Sequence, residues 1–448
     1  MSFESLNLNE VLTRALNAAG YTEPTEVQAS AIPAALAGRD LMVSSRTGSG
    51  KTASFMLPAL TRILAQREQA AAERKAAGPA QAQGNGHRVA PFSNATRGPR
   101  ILVLAPTREL AMQVAKAASD YGRYVQGLRV ATVVGGVPYG AQLAALRGPL
   151  DILIATPGRL IDHLNSGKCQ LGNVEMLVLD EADRMLDMGF IDDIRLIVDA
   201  TPKQRQTAMY SATFGGNVGR LAQDLLRDPQ RIEASSQTES HADIEQRLHW
   251  ADDFEHKNAL LDHILTTREM EQAVVFTSTQ RDADWLADRL HDMGHSVASL
   301  HGGMPQGRRT RVLQGLRSKH LRVLVATDVA ARGIDVPSIS HVINYGLPMK
   351  EEDYVHRIGR TGRAGRAGLA VTLAERRDSG MMHRIQRYTT QRIPVATIEG
   401  LEPKRAEPPK PFDRPTRPGG KSFGPRPHGK PFKPAGKTFS KAGPRPAR

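Results

Sequence analysis

The sequence predicts an α/β protein of two tandem domains with parallel sheets, ending in a basic tail. Three observations predict it. Short β-rich runs, almost continuously apolar, alternate with helix-length segments, as strands buried on both faces of a sheet do. The rhythm breaks at a polar stretch around 234–242 and then restarts, so the unit occurs twice. Beyond about residue 400 the composition changes to Pro, Gly, Lys and Arg. The 448 residues are enough for two domains with separate cores.

In chain order, Leu6, Leu8, Val11, Leu12 and Leu16 recur at helical spacing, and Gly20 to Thr25 is a break. Thr25 is placed to cap a helix carrying Val27, Gln28 and Ile32. A short apolar strand, Leu41-Met42-Val43, then runs into Ser44-Ser45-Arg46-Thr47-Gly48-Ser49-Gly50-Lys51-Thr52 and a helix. Small residues between a strand and a helix let backbone N–H groups converge on an anion, and the helix N-terminus adds partial positive charge. Lys51 then reaches the β- and γ-phosphates of a nucleotide, with the Thr52 hydroxyl on Mg²⁺. Gly48-x-Gly50-x-x-Ala53 also fits a loose dinucleotide pattern, but a Lys-Thr pair directly after the second glycine favours the phosphate loop. Residues 66–97, rich in Ala, Gln, Glu and Gly, read as a helix extension dissolving into a mobile insert.

Strands are expected at 101–105, 130–134, 151–155, 176–179 and 207–210, then at 273–276, 296–300, 323–326, 341–345 and 369–373. The domain boundaries follow: a nucleotide-binding domain at 1–233, a linker at 234–245, a second domain at 246–395 and a disordered tail at 396–448. Only the first domain has the loop. There, Met176 to Leu179 delivers Asp180, Glu181 and Asp183 to a strand's C-terminal end, where open α/β sheets bind ligands. The physical reading puts Asp180 in the Mg²⁺ shell and gives Glu181 the attacking water.

Asp180-Glu181-Ala182-Asp183 spells the signature of the DEAD-box RNA helicases, and the chain resembles that family, the bacterial RhlE-like branch in particular, from residue 1 to about 380. The resemblance implies two RecA-like domains that hydrolyse ATP with Mg²⁺ and act on RNA, mainly through its backbone. Gly20-Tyr21, Pro24-Thr25 and Val27-Gln28 resemble the adenine-reading motif, with Phe3 as its upstream aromatic; Tyr21 and Gln28 would favour ATP over GTP. The ATP site would then comprise Phe3, Tyr21, Gln28, Thr47, Gly48, Ser49, Gly50, Lys51, Thr52 and Asp335. Pro106-Thr107-Arg108, Gly135-Gly136 and Thr156-Pro157-Gly158-Arg159 resemble RNA-backbone motifs, joined in the second domain by Thr279, Gln306, Arg309 and Thr327. Such contacts position a strand without reading its bases. Ser211-Ala212-Thr213 resembles the element linking hydrolysis to unwinding, and Asp183, His356 and Gly333 would couple the domains.

Arg360 and Arg363 lie in a Gly-rich segment of the domain without the loop. Guanidinium groups supplied across a cleft stabilise charge on the γ-phosphate only when the domains close. His249, His256 and His263 recur every seven residues and read as ordinary helix-surface histidines, Trp285 as core, and Cys169 as a non-nucleophile.

Composition limits the setting. The net charge of +14 is uneven: 401–448 hold thirteen Lys/Arg against three Asp/Glu, leaving +4 for the first 400 residues. That tail, with four interspersed phenylalanines, suggests a polyanionic partner and a capacity to stack on unpaired bases. One cysteine excludes an intramolecular disulfide and suits a reducing cytosol, and no apolar run approaches a membrane span, so a cytoplasmic protein with no membrane partner is expected. Two other readings stand beside the helicase. One is an RNA clamp or annealing chaperone driven by the tail, the other a DNA translocase on the same core. The family also implies ribosomal or RNA-decay ribonucleoprotein complexes as partners.

Overall fold

The computed structural model describes residues 2–45, 49–76, 98–233, 243–331, 336, 338–362 and 366–405, without the side chain of Arg74. The first domain is a seven-stranded parallel sheet. Its strands are β1 (Leu41–Ser44), β2 (Pro99–Leu104), β3 (Val130–Val133), β4 (Leu150–Ala155), β5 (Met176–Leu179), β6 (Gln206–Ser211) and β7 (Gln230–Glu233), in the order β3-β4-β2-β5-β6-β1-β7. The second domain has β8 (Ile244–Ala251), β9 (Ala273–Phe276), β10 (Val297–Leu300), β11 (Val323–Ala326), β12 (His341–Asn344) and β13 (Gly368–Glu375), in the order β10-β11-β9-β12-β13-β8.

The strand sequences explain the layering. Successive side chains of a strand point to opposite faces. On β2, Ile101 and Val103 enter one core with Phe55, Leu57 and Leu60 of the Lys51–Ala76 helix, while Leu102 and Leu104 enter the other with Ile194 and Leu221. On β9, Val275 and the pair Val274 and Phe276 divide between two cores in the same way. Both faces are covered, so these runs had to be apolar throughout. Helix starts are fixed by side-chain caps: Asn9, Thr25, Thr107, Asp253 and Thr279 each accept a backbone N–H from the first turn they precede.

Several expectations change. Two edge strands, β7 and β8, were invisible to apolar periodicity: in β7 only Ile232 is buried. Strand β8 begins at Ile244, inside the stretch read as linker, and it carries His249. That histidine is buried on a strand, where desolvation holds its pKa down at about 4, whereas His256 and His263 belong to the Phe254–Thr266 helix. The seven-residue recurrence is therefore not one helix surface. Trp285 is exposed and packs against Phe254 at 5.1 Å, so it is not core. Residues 396–405, assigned to the tail, are held on the second domain: Leu401 packs on its core, its carbonyl accepts from His256 Nε2 at 3.0 Å, and the Lys404 and Arg405 amides donate to Asp252. The remainder of the tail, most of the linker and residues 77–97 of the expected insert lie outside the described residues; the Lys51–Ala76 helix runs through the insert's first eleven positions. Cys169 is buried and its thiol is pushed up to about 11 by desolvation, which keeps it inert. Among the described residues no helix is long and apolar enough to cross a membrane.

Candidate functional site

Apart from the adenine-reading motif, which precedes β1, the first-domain motifs gather at one edge of the sheet, because each follows the C-terminal end of a parallel strand. Ser45 follows β1, Pro106 follows β2, Gly135 lies just past β3, Thr156 follows β4, Asp180 follows β5 and Ala212 follows β6. The phosphate loop is held from behind by the helix Glu26–Leu36. Its cap, Thr25, forms a reciprocal capping box with Gln28, and the same two side chains clamp the loop backbone. Thr25 Oγ1 donates to the Ser49 carbonyl at 2.8 Å and Gln28 Nε2 to the Gly50 carbonyl at 3.1 Å. Gly50 has φ +88°, and a Cβ there would lie 2.4 Å from Gln28 Nε2. Only glycine meets both demands. Gly50→Ala is therefore expected to lower nucleotide affinity by about tenfold or more, from an αL cost of ~1–2 kcal/mol plus the displaced clamp. Titration of a fluorescent ATP analogue checks this; unchanged affinity would show that the clamp is dispensable.

Lys51 opens the next helix and is buried, its Nζ donating to the Ser45 carbonyl at 3.1 Å across the loop. Thr47 and Gly48 lie outside the described residues; Ser49, Gly50, Lys51 and Thr52 continue into the helix. Asp180 is 2% exposed, and its Oδ1 has no hydrogen-bond partner. Desolvation raises its pKa to about 7, with Lys51 opposing and Glu181 adding to the rise. A buried carboxylate with an unmet acceptor beside a lysine fits a bound cation. Glu181 is buried with φ +53°, a left-handed conformation costing a non-glycine residue on the order of 1 kcal/mol. The bend starts the Ala182–Asp187 helix and turns the chain at the strand end. Asp183 accepts from the Ala212 amide at 3.1 Å, and the Ser211 hydroxyl donates to the Thr213 carbonyl at 2.6 Å. The acidic motif and the Ser211–Thr213 turn are thus one hydrogen-bonded unit.

Two adenine-site expectations separate. Tyr21 is half-exposed and sits edge-on to Tyr121, ring centroids 6.0 Å apart. Phe3, expected beside it as an adenine-reading aromatic, is buried in the domain core and has no open ring face to offer. Of the RNA-directed residues, Thr107 caps the Arg108–Tyr121 helix and Arg108 Nη1 lies 3.4 Å from the Gly135 carbonyl. Pro106 and Pro157 are buried; Thr156 precedes the Pro157–Asn165 helix, and Arg159 pairs with Asp162 at 3.5 Å. In the second domain Thr279 caps the Gln280–Asp292 helix and Thr327 directly follows β11.

The two domains meet through ion pairs, two of them largely covered and one exposed. Arg309, expected on RNA, instead donates to Glu109 Oε1 from Nε at 3.0 Å and Nη2 at 2.7 Å, with both side chains largely covered. Beside it, a Cβ on Gly136 (φ +72°) would lie 3.7 Å from Gln306 Cβ, so the RNA-directed elements of both domains adjoin. Arg184, directly after Asp183, pairs with Asp353 of the Glu351–Ile358 helix, and Lys350 pairs with Asp187 at 2.6 Å. That helix leads to Arg360, whose Nε donates to the His356 carbonyl at 3.1 Å. Arg184, Asp353, His356 and Arg360 line one small cavity. Arg357, wholly buried, is spent on structure: it chelates Asp328, bonds Asn344 and Gly346, and covers Phe276. Arg363, Asp335 and Gly333 lie outside the described residues.

Sequence reasoning did not single out Arg184, Asp353, Glu109, Asp187 or Lys350. Their partners are 160 or more positions away, and no local pattern encodes such a pairing. The role of Thr25 on the loop was partly legible through its capping box.

Comparison with known proteins agrees with this geometry. A DEAD/DEAH box helicase model matches residues 25–221, and a helicase conserved C-terminal domain model matches 256–365. The chain is 41% identical over 408 residues to the ATP-dependent RNA helicase SrmB of Escherichia coli, covering 91% of this chain and 86% of SrmB. It is 40% identical over 401 residues to the ATP-dependent RNA helicase DeaD of Buchnera aphidicola, covering 90% of this chain but 62% of DeaD. Among solved structures, S. cerevisiae Dbp5 bound to RNA and ADP BeF3 aligns with a TM-score of 0.73 at 28% identity, covering 88% of this chain and 95% of Dbp5. Mss116p bound to ssRNA and AMP-PNP aligns with a TM-score of 0.76 at 25% identity, covering 90% of this chain and 81% of that one.

Proposed function

Because this chain belongs to the DEAD-box family of ATP-dependent RNA helicases, two RecA-like domains and all, we propose that it separates short RNA duplexes or remodels ribonucleoproteins by closing its domains on RNA. ATP would enter between the domains, its phosphates on the Ser49–Lys51 backbone and on Lys51, its adenine near Tyr21 and Gln28. Asp180 and Thr52 would hold Mg²⁺, partly through water, and when bound it would supply positive charge against the phosphates. Glu181 orients and deprotonates the attacking water. Arg360, with Arg363, places positive charge at the γ-phosphate from the other domain. Arg108, Thr156, Arg159, Thr279 and Gln306 bind backbone phosphates, and bending of one strand expels its complement.

The observation carrying this reading is the buried Arg184–Asp353 pair, which joins the acidic motif of one domain to the helix presenting Arg360 from the other. It forms only when the domains are together, so nucleotide chemistry and domain closure share one element. Removing one partner of a buried pair costs about 3–5 kcal/mol. Asp353→Asn is therefore expected to open the domains and lower RNA-stimulated turnover at least about tenfold, with ATP affinity little changed. Fluorescence transfer between Leu196→Cys and Met293→Cys, both exposed positions, measures closure directly because the buried Cys169 resists labelling. Closure with ATP and RNA in the parent, lost in Asp353→Asn, is the expected result. Identical transfer in both would sink the coupling role of this pair.

RNA is the proposed partner and the cytoplasm the proposed compartment. The bases are read weakly, since the motifs address backbone, so ribosomal or RNA-decay complexes would supply the choice of target.

A further inference from the structure

The opposite edge of the first domain, at the N-terminal ends of its strands, carries a cavity that the helicase cycle does not use. It encloses about 1120 Å³ and is lined by Arg62, Arg67, Arg100, Arg129, Arg205 and Arg227. Asp151 and Glu175 share the lining and Asp40 and Asp199 also act on Arg205, so six arginines face four carboxylates and an excess of two positive charges remains. The catalytic edge is one strand length away, about 13–20 Å for strands of four to six residues. We propose that this cavity is a second binding site, for the ribose-phosphate backbone of RNA.

Two unmet polar atoms, one of each sense, point to that chemistry. Arg205 is 9% exposed and its Nε, a donor, has no partner. Gln66 Oε1, an acceptor, is likewise buried without one. The Gln66 amide cannot be reversed to relieve this, since its nitrogen donates to Glu175 Oε2. A phosphate answers the guanidinium donor, and a ribose hydroxyl answers the amide acceptor. An acidic peptide also offers carboxylates and backbone N–H groups to these two atoms, so the hexaglutamate arm of the test separates it from RNA. Burial also lowers the pKa of both Arg62 and Arg205, a cost that an anion would offset. Among the described residues no aromatic ring lines the cavity, so bases would not stack there and sequence would not be read. The chain's own remaining segments are poor occupants by charge: 77–97 contain no Asp or Glu, and 401–448 are strongly basic.

This site does not depend on the assignment of the ATPase machinery. The test uses the full chain with saturating ADP and Mg²⁺, probed by fluorescence anisotropy with a ten-nucleotide single-stranded RNA and, separately, with labelled AMP. Arg100→Glu with Arg129→Glu removes two half-exposed or exposed guanidiniums without touching the buried Arg205. It should weaken RNA binding several-fold and reduce the slope of log Kd against log salt by about 1.4, at ~0.7 per phosphate contact. Glu175→Gln, which deletes an opposing carboxylate, should tighten binding. Basal ATP hydrolysis should be unchanged in both. Sensitivity of RNA alone to these variants assigns a strand to the site; sensitivity of AMP alone assigns a small ribonucleotide, with the same chemistry. Weaker binding in both variants would mark a folding defect and overturn the proposal. So would indifference of both probes, or a hexaglutamate peptide binding in the parent alone while neither phosphate probe responds.

Discussion

Arg360→Ala is expected to lower RNA-stimulated ATP hydrolysis by roughly 10³–10⁵-fold, the range for an arginine supplied to a transferring phosphoryl group. ATP affinity should fall far less. The asymmetry follows from where the residue sits: on the domain that lacks the phosphate loop, at the end of the helix that Asp353 ties to Arg184. On the proposed closure cycle Arg360 would reach the nucleotide only when the domains come together, so ground-state binding should depend little on it. Single-turnover hydrolysis and equilibrium nucleotide binding, measured on the same preparation, separate the two quantities. Equal losses in both would remove its role at the transition state and leave a structural one, consistent with its burial.

Glu181→Gln should reduce turnover by about 10²–10⁴-fold, the usual worth of a positioned general base, while leaving RNA and ATP binding intact. The amide is isosteric and keeps one acceptor oxygen, but its other position is an NH₂ donor and it cannot take a proton from water. The left-handed backbone at this position belongs to the argument. A chain that bends there at the cost of local strain does so to place the side chain at the strand end, next to a carboxylate that burial has already driven up to about 7. On the proposed cycle, in which hydrolysis resets the domains, the variant should bind RNA as the parent does but release it more slowly. Near-normal turnover would exclude Glu181 as the base.

What was legible in the sequence and what was not divides on physical grounds. Buried parallel strands must be apolar on both faces, so β2, β5, β9 and β11 announce themselves. Edge strands bury little: β7 reads as a polar segment with one isoleucine, and β8 as a mixed one, so both were missed. The phosphate loop and the acidic motif were legible because their chemistry needs particular residues at short spacing. Phe3 shows the reverse. The resemblance makes it the aromatic upstream of the adenine-reading motif, and here its ring is packed in the domain core. Arg309 was read as an RNA contact because it is cationic and belongs to an RNA-directed motif; its partner, Glu109, is 200 residues away. No reading of local pattern finds such a pair, nor a cavity assembled from the starts of five strands.

The most direct test of the central claim is steady-state ATP hydrolysis by the full chain with no nucleic acid, with single-stranded RNA, and with DNA of the same sequence. A repeat on a chain ending at residue 405 places the tail. The domain-closure account predicts strong stimulation by RNA, little by DNA, and retention of that preference in the shorter chain with weaker RNA affinity. Equal stimulation by DNA would assign the core to a translocase. Loss of RNA stimulation on shortening would shift the activity to the tail, and hydrolysis indifferent to any nucleic acid would contradict the coupling of closure to RNA altogether.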